Sequence, residues 1–339
     1  MKWNGTSAWN QRRLRPERGA KPPSESAWGW GPRAVINEDT MRRLGIAAAV
    51  AVLIAPAFTD AQIFTLSKEQ MIEYTSQSPF DRFPDGRPKV PDGLMERAKG
   101  LSAEEVWAIL PNKGFRNQYA DGFQVLHPSK RMVGRAFTLQ FMPLRPDVDS
   151  VVQSKAQAAG LGRMYNQTVI DMLQPGDVLV VDLYGQGEGG TIVGDNLFYY
   201  IMKATKGAGL VVDGAIRDLD GISVMDMPAY FRKTHPSAIA NVMVSGVNVP
   251  VRIGNATVMP GDLVFGDTEG IYFIPPALVQ AVVDNSDEIH VHDEWTRMKF
   301  DEGKYKSREI YGSPQDPALK AEYAAYLKKR LEEIRKSYK

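Results

Sequence analysis

The stretch from Asp177 to Asp218 restricts the fold more than any other part of this chain. It opens with Val178-Leu-Val-Val-Asp182 and runs through a loop holding Gly185, Gly187, Gly189, Gly190 and Gly194. A helix is expected from Asn196 to about Lys206, and the stretch closes on Gly209-Leu-Val-Val-Asp-Gly-Ala-Ile-Arg-Asp218. Strand, glycine loop, helix and strand in that order are the unit of an α/β protein. Ligands in such folds collect outside the carboxyl ends of the strands, where loops and helix N-termini converge. The loops 185–196 and 214–218 both fall there.

The flanking sequence fills in the frame. Gln174-Pro-Gly-Asp177 and Met259-Pro-Gly-Asp262 match a tight turn in which proline sets the first central φ and glycine accepts the positive second one, so each launches a strand. Met132 to Phe141 is expected as a strand, Val151 to Leu173 as a helix, and Val247 to Ile274 as consecutive short strands with no helix between them. Helical spacing resumes from Pro275 and ends in Ala318 to Tyr338, with a solvated Lys/Arg/Glu face. Ser67-Lys-Glu-Gln70 and Ser102-Ala-Glu-Glu105 fit the capping box and should each open a helix. Ser76 to Gly93, rich in proline and glycine, is expected as a surface linker or wrapping arm, and the core as beginning near Leu94.

Composition removes whole classes of chemistry. The chain has no cysteine, which excludes disulfides, thiolate zinc sites, cysteine-held iron–sulfur clusters and cysteine nucleophiles. It has four histidines, none in an HExxH pattern. With 41 basic and 40 acidic residues, bulk positive charge offers nothing to nucleic acid. Residues 1–40 hold four of the six tryptophans and no apolar periodicity, and are expected to be an upstream extension outside the fold. Met41-Arg-Arg then leads into the apolar run Ile46–Ala55 and small residues up to Ala61, the pattern of a secretory signal peptide over 41–61. That run is too short to span a bilayer, which takes about 20 residues. Residues 1–61 carry nine basic and five acidic groups, so the remainder passes from a net +1 to −3. The expected order is therefore a leader, an arm over 62–93, a catalytic domain over 94–300 and a helical tail over 301–339, in an exported, periplasmic protein with no stable membrane span.

Two features in the ligand loops bear on chemistry. Gly185-x-Gly187-x-x-Gly190 matches the dinucleotide fingerprint, with Asp213 a little over 20 residues further on. The consecutive strands after residue 240 break the β-α alternation that a doubly wound sheet requires, and the glycines are read instead as letting the loop turn. Arg217 and Asp218 are the sharper pair. An arginine holds a planar carboxylate through two parallel hydrogen bonds, and an aspartate ligates a hard cation that keeps most of its waters. Together they suit a 2-oxo acid, although adjacent opposite charges also occur as a plain surface ion pair. Asp195 is expected to cap the next helix and to face the same ligand. Lys203 and Lys206 are expected as solvated side chains, which leaves a cation, not a lysine Schiff base, to meet an enolate's charge.

Four ordered blocks, Gly194-Asp-Asn-Leu197, Gly209 to Asp218, Val249-Pro-Val-Arg-Ile-Gly254 and Pro260 to Ile271, resemble the RraA-like family, which includes the 4-hydroxy-4-methyl-2-oxoglutarate aldolases. The resemblance covers roughly residues 95 to 300. It implies an α/β/α swivelling-domain core, here with an N-terminal arm and a C-terminal helical extension, assembled as a homotrimer or homohexamer with active sites between subunits. By this resemblance Asp218 ligates Mg²⁺ or Mn²⁺, and Arg217 binds the pyruvyl oxygens and stabilises the enolate. Asp195 holds water at the metal, and the amides of Gly194, Asp195, Asn196 and Leu197 line the substrate site. An acidic residue from the neighbouring subunit's C-terminal region corresponds to Glu294. Two departures concern substrate identity: Phe231-Arg-Lys-Thr-His-Pro-Ser237 stands where the family has a small glycine-containing loop, and Val193 where it often has an aromatic residue.

The reading that follows is a divalent-metal-dependent, class II aldolase that cleaves a 4-hydroxy-2-oxo acid by a retro-aldol step and releases pyruvate. Oxaloacetate decarboxylation would be a side reaction through the same enolate. The alternative is a non-catalytic binding protein of the kind that inhibits RNase E in this family; export argues against that intracellular partner. A nucleotide-dependent oxidoreductase, the third reading, would require NAD binding.

Overall fold

A computed structural model of the chain describes residues 64–337. The upstream extension and the leader expected over 1–61 lie outside the described residues. The described chain opens on α1 (Lys68–Tyr74), α2 (Asp92–Ala98) and α3 (Ala103–Trp107), then the short strands β1 (Tyr119–Ala120) and β2 (Gln124–Leu126). The long β3 (Met132–Pro143) leads through α4 (Pro146–Ala158) and α5 (Asn166–Ile170) to β4 (Asp177–Asp182). Next come α6 (Asp195–Thr205), β5 (Leu210–Ile216), α7 (Leu219–Ser223) and β6 (Ala229–Thr234). Five strands follow without a helix: β7 (Val242–Val247), β8 (Val251–Ile253), β9 (Ala256–Val258), β10 (Leu263–Gly266) and β11 (Ile271–Ile274). The chain closes on α8 (Pro276–Asp301), α9 (Ser307–Ile310) and α10 (Pro317–Ser337).

Nine strands form one sheet in the order β1-β11-β10-β3-β4-β5-β6-β2, with β7 beside the far half of β3. The pairs β3–β4, β4–β5 and β5–β6 are parallel, and the flanking pairs are antiparallel. A parallel strand buried on both faces reads as an unbroken apolar run, and Val178 to Val181 are fully buried. Their alternation divides the core. Leu179 and Val181 pack on Val152, Ile170, Phe198 and Ile201 of α4 to α6. Val178 and Val180 face the opposite side, where Val251, Ile253 and Val258 of the β8–β9 hairpin and Phe273 fill the concave face of a curled sheet. On the outer face of β10 and β11, Leu263, Phe265 and Ile274 meet Leu94, Val106, Val279 and Val282 of α2, α3 and α8. The result is the expected α/β architecture with an N-terminal arm and a C-terminal helical extension. Among the described residues no helix is long and apolar enough to cross a membrane.

Both capping boxes form: Ser67 and Ser102 accept from the amides of Gln70 and Glu105, whose side chains return to the Ser67 and Ser102 amides. Each such cap contributes about 1 kcal/mol. Gly176 and Gly261 take the positive φ (+83° and +87°) that the Pro-Gly-Asp turns need. The helix expected over Val151 to Leu173 is instead two helices. It stops at Ala158 because Gly160 and Gly162 turn left-handed (φ +74° and +70°), and a new helix starts at Asn166. The arm over Ser76 to Gly93 goes deeper than a surface linker. Arg87 is fully buried, with its Nη1 donating to Asp177 Oδ1 at 2.7 Å and the guanidinium stacked 4.6 Å from the centroid of Phe83.

Candidate active site

The glycine loop serves to bring its far end back beside β5. After leaving β4 the chain turns and runs parallel to the end of β5. The Ala215 amide donates to Gly190 O, the Ile192 amide to Ala215 O and the Arg217 amide to Val193 O, each at 3.1 Å. The segment following β6 clasps the loop from its other side. The Ala240 amide donates to Gly189 O at 2.9 Å, and the Gly189 amide donates to Ser237 Oγ at 2.8 Å, which itself pairs with His235 Nδ1 at 2.9 Å. A side chain at Gly189 would sit 2.7 Å from Ala240 O on a backbone already at φ +72°, so glycine is required there. Asn166, at the start of α5, is buried and donates through Nδ2 to Ile192 O at 2.7 Å, fixing the returning strand from below.

This return sets Gly194 against the end of β5, where Arg217 and Asp218 follow Ile216. Asp218 is left-handed (φ +58°, ψ +42°), a conformation aspartate tolerates better than most residues, and it stands at the N-cap of α7. The twist turns its carboxylate back toward Arg217, with Oδ2 3.5 Å from Nε; both side chains are nearly half exposed. Gly194 makes room for the pair. A Cβ there would collide with Asp218 Oδ2 and come within 3.0 Å of Arg217 Nε. Asp195 was expected at the cap of α6; the cap is Gly194, and Asp195 is the first helical residue, its Oδ1 accepting from the Asn196 amide at 2.7 Å. A Cβ built on Gly221 in α7 lies 3.4 Å from Asp195 Oδ2, so Asp195 packs against the short helix that Asp218 caps.

A cleft of about 330 Å³ opens at this corner, lined by Arg217, Gly194, Leu197, Tyr165, Asn166 and Ile239. Arg217 supplies a cation, and the N-terminus of α6 adds the amides of Gly194, Asp195 and Leu197, which have no hydrogen-bond partner among the described residues. The Asn196 amide, expected in the same set, is taken by Asp195. The corner therefore suits a small anion with a planar head. For a divalent metal, no group of three or more acidic or histidine residues comes together among the described residues. Asp195, Asn196 and Asp218 stand beside the cleft and are not among the residues that line it. Mg²⁺ keeps most of its waters and binds through one or two carboxylates, so Asp218 and Asp195 are the donors that would hold such an ion.

Glu294 does not line this cleft of its own chain. It lies in the second half of α8, where it accepts from Tyr326 Oη at 2.6 Å and from Arg330 at 3.1 and 3.2 Å, and the Tyr326 hydrogen bond holds its carboxyl below its ordinary range. Lys203 on α6 and Lys206, the residue that caps its C-terminus, are exposed. Asp213, the acid of the dinucleotide reading, is buried and committed to Arg232 Nε at 2.7 Å and to the Gly254 amide at 3.2 Å. Of the segment taken as a replaced loop, Phe231 to Thr234 belong to β6, leaving His235, Pro236 and Ser237 as the variable part. The sequence alone did not point to Asn166 or Ile239, or to the bond from the Gly189 amide to Ser237. The Gly160 and Gly162 pair, read as a helix break, would have placed Asn166 at a new helix start facing the glycine loop.

Comparison with known proteins gives a consistent picture. The family model described as RraA-like, Aldolase/RraA, matches residues 98–273, ending inside β11, so α8 to α10 and Glu294 lie beyond it. A protein of Halalkalibacterium halodurans named "Putative 4-hydroxy-4-methyl-2-oxoglutarate aldolase" is 33% identical over 170 residues, covering 50% of this chain and 71% of its own. One of the same name from Ectopseudomonas mendocina is 37% identical over 111 residues, covering 32% of this chain and 66% of its own. Among solved structures, Streptomyces coelicolor RraAS2, described as an unusual member of the RNase ES inhibitor RraA protein family, superposes with a TM-score of 0.51 at 32% identity. That match covers 62% of this chain and all of RraAS2. On the match across more than half of its length, this chain belongs to the RraA-like family.

Proposed function

We propose that this chain is a divalent-metal-dependent lyase that cleaves a 4-hydroxy-2-oxo acid by a retro-aldol step and releases pyruvate. The observation carrying the reading is the corner itself: Arg217 and Asp218 side by side at the end of β5, with Gly194 and the α6 N-terminus closing over them. The similarity to proteins named as aldolases supports it.

Arg217 would hold the C1 carboxylate and C2 keto oxygen in its planar fork, with the α6 amides sharing the carboxylate's charge. When the C3–C4 bond breaks, its electron pair passes into the pyruvate enolate while the C4 hydroxyl loses its proton and becomes a carbonyl. Asp218, with Asp195 behind it, would hold Mg²⁺ or Mn²⁺, which supplies a Lewis-acid counter-charge to the enolate oxygen. Arg217 would meet the same developing charge with its guanidinium. Asp195 Oδ2, the oxygen not bound by the Asn196 amide, would orient the water that takes the C4 hydroxyl proton and returns it to the methyl carbon. Oxaloacetate reaches the same enolate by losing carbon dioxide. We place the active site between subunits of a homotrimer or homohexamer, with Glu294 as the acidic group from the neighbour, in a protein exported behind the leader at 41–61.

A pyruvate-release assay over a panel of 4-hydroxy-2-oxo acids and oxaloacetate tests the reading. Turnover with Mg²⁺ or Mn²⁺ that chelator abolishes is expected; no pyruvate from any member of the panel would refute it. The similarity to RraAS2 favours a second reading, a binding protein that regulates a partner. Turnover that disappears in Arg217→Ala and Asp218→Ala selects the enzyme over the binder.

A further inference from the structure

The two Pro-Gly-Asp turns are built alike and finished differently. In each, the aspartate accepts from the amide three residues earlier: Gln174 N to Asp177 Oδ2 at 3.0 Å, and Met259 N to Asp262 Oδ2 at 2.8 Å. The turns flank the same two residues of β3, for the Arg135 amide donates to Gly176 O at 2.8 Å and the Gly261 amide to Ala136 O at 2.9 Å. Both aspartates are buried. The wrapping arm passes between them. Arg87 brings its guanidinium to Asp177, whereas the next residue, Pro88, packs on Gly261 and offers no donor. Asp262 therefore has no ion pair among the described residues. It stands in the wall of a cavity of about 400 Å³ between the arm, the segment before β1 and the start of α8. Tyr74, Phe115, Gln118, Thr257 and Leu278 are among the other lining residues, and none of the lining residues besides Asp262 is a carboxylate, lysine, arginine or histidine. Burial without a counter-charge pushes its carboxyl up to about 7.

We propose that this cavity is a binding site for a small organic cation, a primary ammonium or guanidinium carried on a compact apolar body, with Asp262 as its counter-ion. The sister turn supplies the precedent inside the same molecule, since an aspartate in this geometry already takes a guanidinium from Arg87. A buried carboxylate left without a partner is costly, and a bound cation removes that cost, while Phe115 and Leu278 offer contact to an apolar body. The volume falls in the range of small-molecule sites, about 300–1,000 Å³. The site is separate from the Arg217 corner. Asp177 begins β4 and Arg217 follows the end of the parallel β5, so the turns and the corner lie at opposite ends of the sheet.

The test is calorimetric titration of the full chain with phenethylammonium and, at equal ionic strength, with the uncharged phenethyl alcohol. The wild type is expected to bind the ammonium at least tenfold more tightly than the alcohol. Asp262→Asn, which keeps an oxygen for the Met259 amide, should abolish that preference. Phe115→Ala leaves the turn untouched and should weaken the ammonium severalfold, which keeps the test decisive if Asp262→Asn does not fold. Equal binding of the two probes by the wild type, no binding of the ammonium at millimolar concentration, or unchanged ammonium affinity in either variant would overturn the proposal.

Discussion

Gly194→Ala separates the site from the fold. The Gly194 backbone (φ −106°, ψ −167°) is open to any residue, so alanine adds no strain of its own. The whole cost falls on the neighbours, because the new methyl would overlap Asp218 Oδ2 and approach Arg217 Nε to 3.0 Å and Cγ to 3.4 Å. Asp218 and Arg217 are nearly half exposed and can swing into solvent, so stability should change by no more than about 1 kcal/mol. For a chain of 339 residues that is a melting shift of about 1–2 °C. Displacing a positioned group by about 1 Å costs roughly 10²-fold in rate, so kcat/KM for pyruvate release should fall at least about 10²-fold, or about 2.7 kcal/mol. Gly185→Ala is the control. Its φ of +73° makes alanine cost about 1 kcal/mol, but nothing lies within 4 Å of the added Cβ, so turnover should persist. The assay couples released pyruvate to NADH oxidation, with thermal unfolding followed in parallel. Full turnover in Gly194→Ala, or a collapse of its melting temperature with Gly185→Ala equally inactive, would refute the reasoning.

Arg87→Met leaves Asp177 buried without its partner and should cost about 3–5 kcal/mol in denaturant unfolding; a loss below about 1 kcal/mol would mean that the arm does not lock the core through this pair. Asn166→Ala removes the donor to Ile192 O and should cost about 1–3 kcal/mol, with a drop in turnover larger than that of a surface alanine on α5. His290 Nε2 lies 2.5 Å from Glu105 Oε1, which holds the imidazole above its ordinary value. Its contribution is complete below the unfolded value of 6.5 and is lost as pH rises through the folded one. The melting-temperature difference between wild type and His290→Gln should therefore shrink as pH rises above about 6.5, and a difference that grew with pH would contradict the ion pair.

What was legible in the sequence was mostly local. Ser67 and Ser102 announce their helices within three residues, and the Pro-Gly-Asp turns announce β4 and β10 because φ demands are written in single residues. The strands of the sheet centre were legible as apolar runs, and Arg217 with Asp218 as a pair at a strand's end. Contacts between distant residues were not. Nothing near Arg87 marks it as a core residue, since its counter-ion Asp177 is 90 positions away. Asn166 and Ser237 reach the glycine loop from 26 and 48 residues off, through a helix break and a strand extension that periodicity could not position. The left-handed turn at Asp218, which aims its carboxylate back at Arg217, depends on the returning loop and has no glycine to signal it.

The most direct measurement is saturation kinetics of Mg²⁺- or Mn²⁺-supported pyruvate release by wild type, Arg217→Lys and Asp218→Asn. Asp218→Asn should lose most of kcat together with its dependence on added metal. Arg217→Lys, which keeps the charge but not the planar fork, should retain folding and metal binding while kcat/KM falls at least about tenfold. Wild-type kinetics in both variants would place the chemistry elsewhere in the molecule.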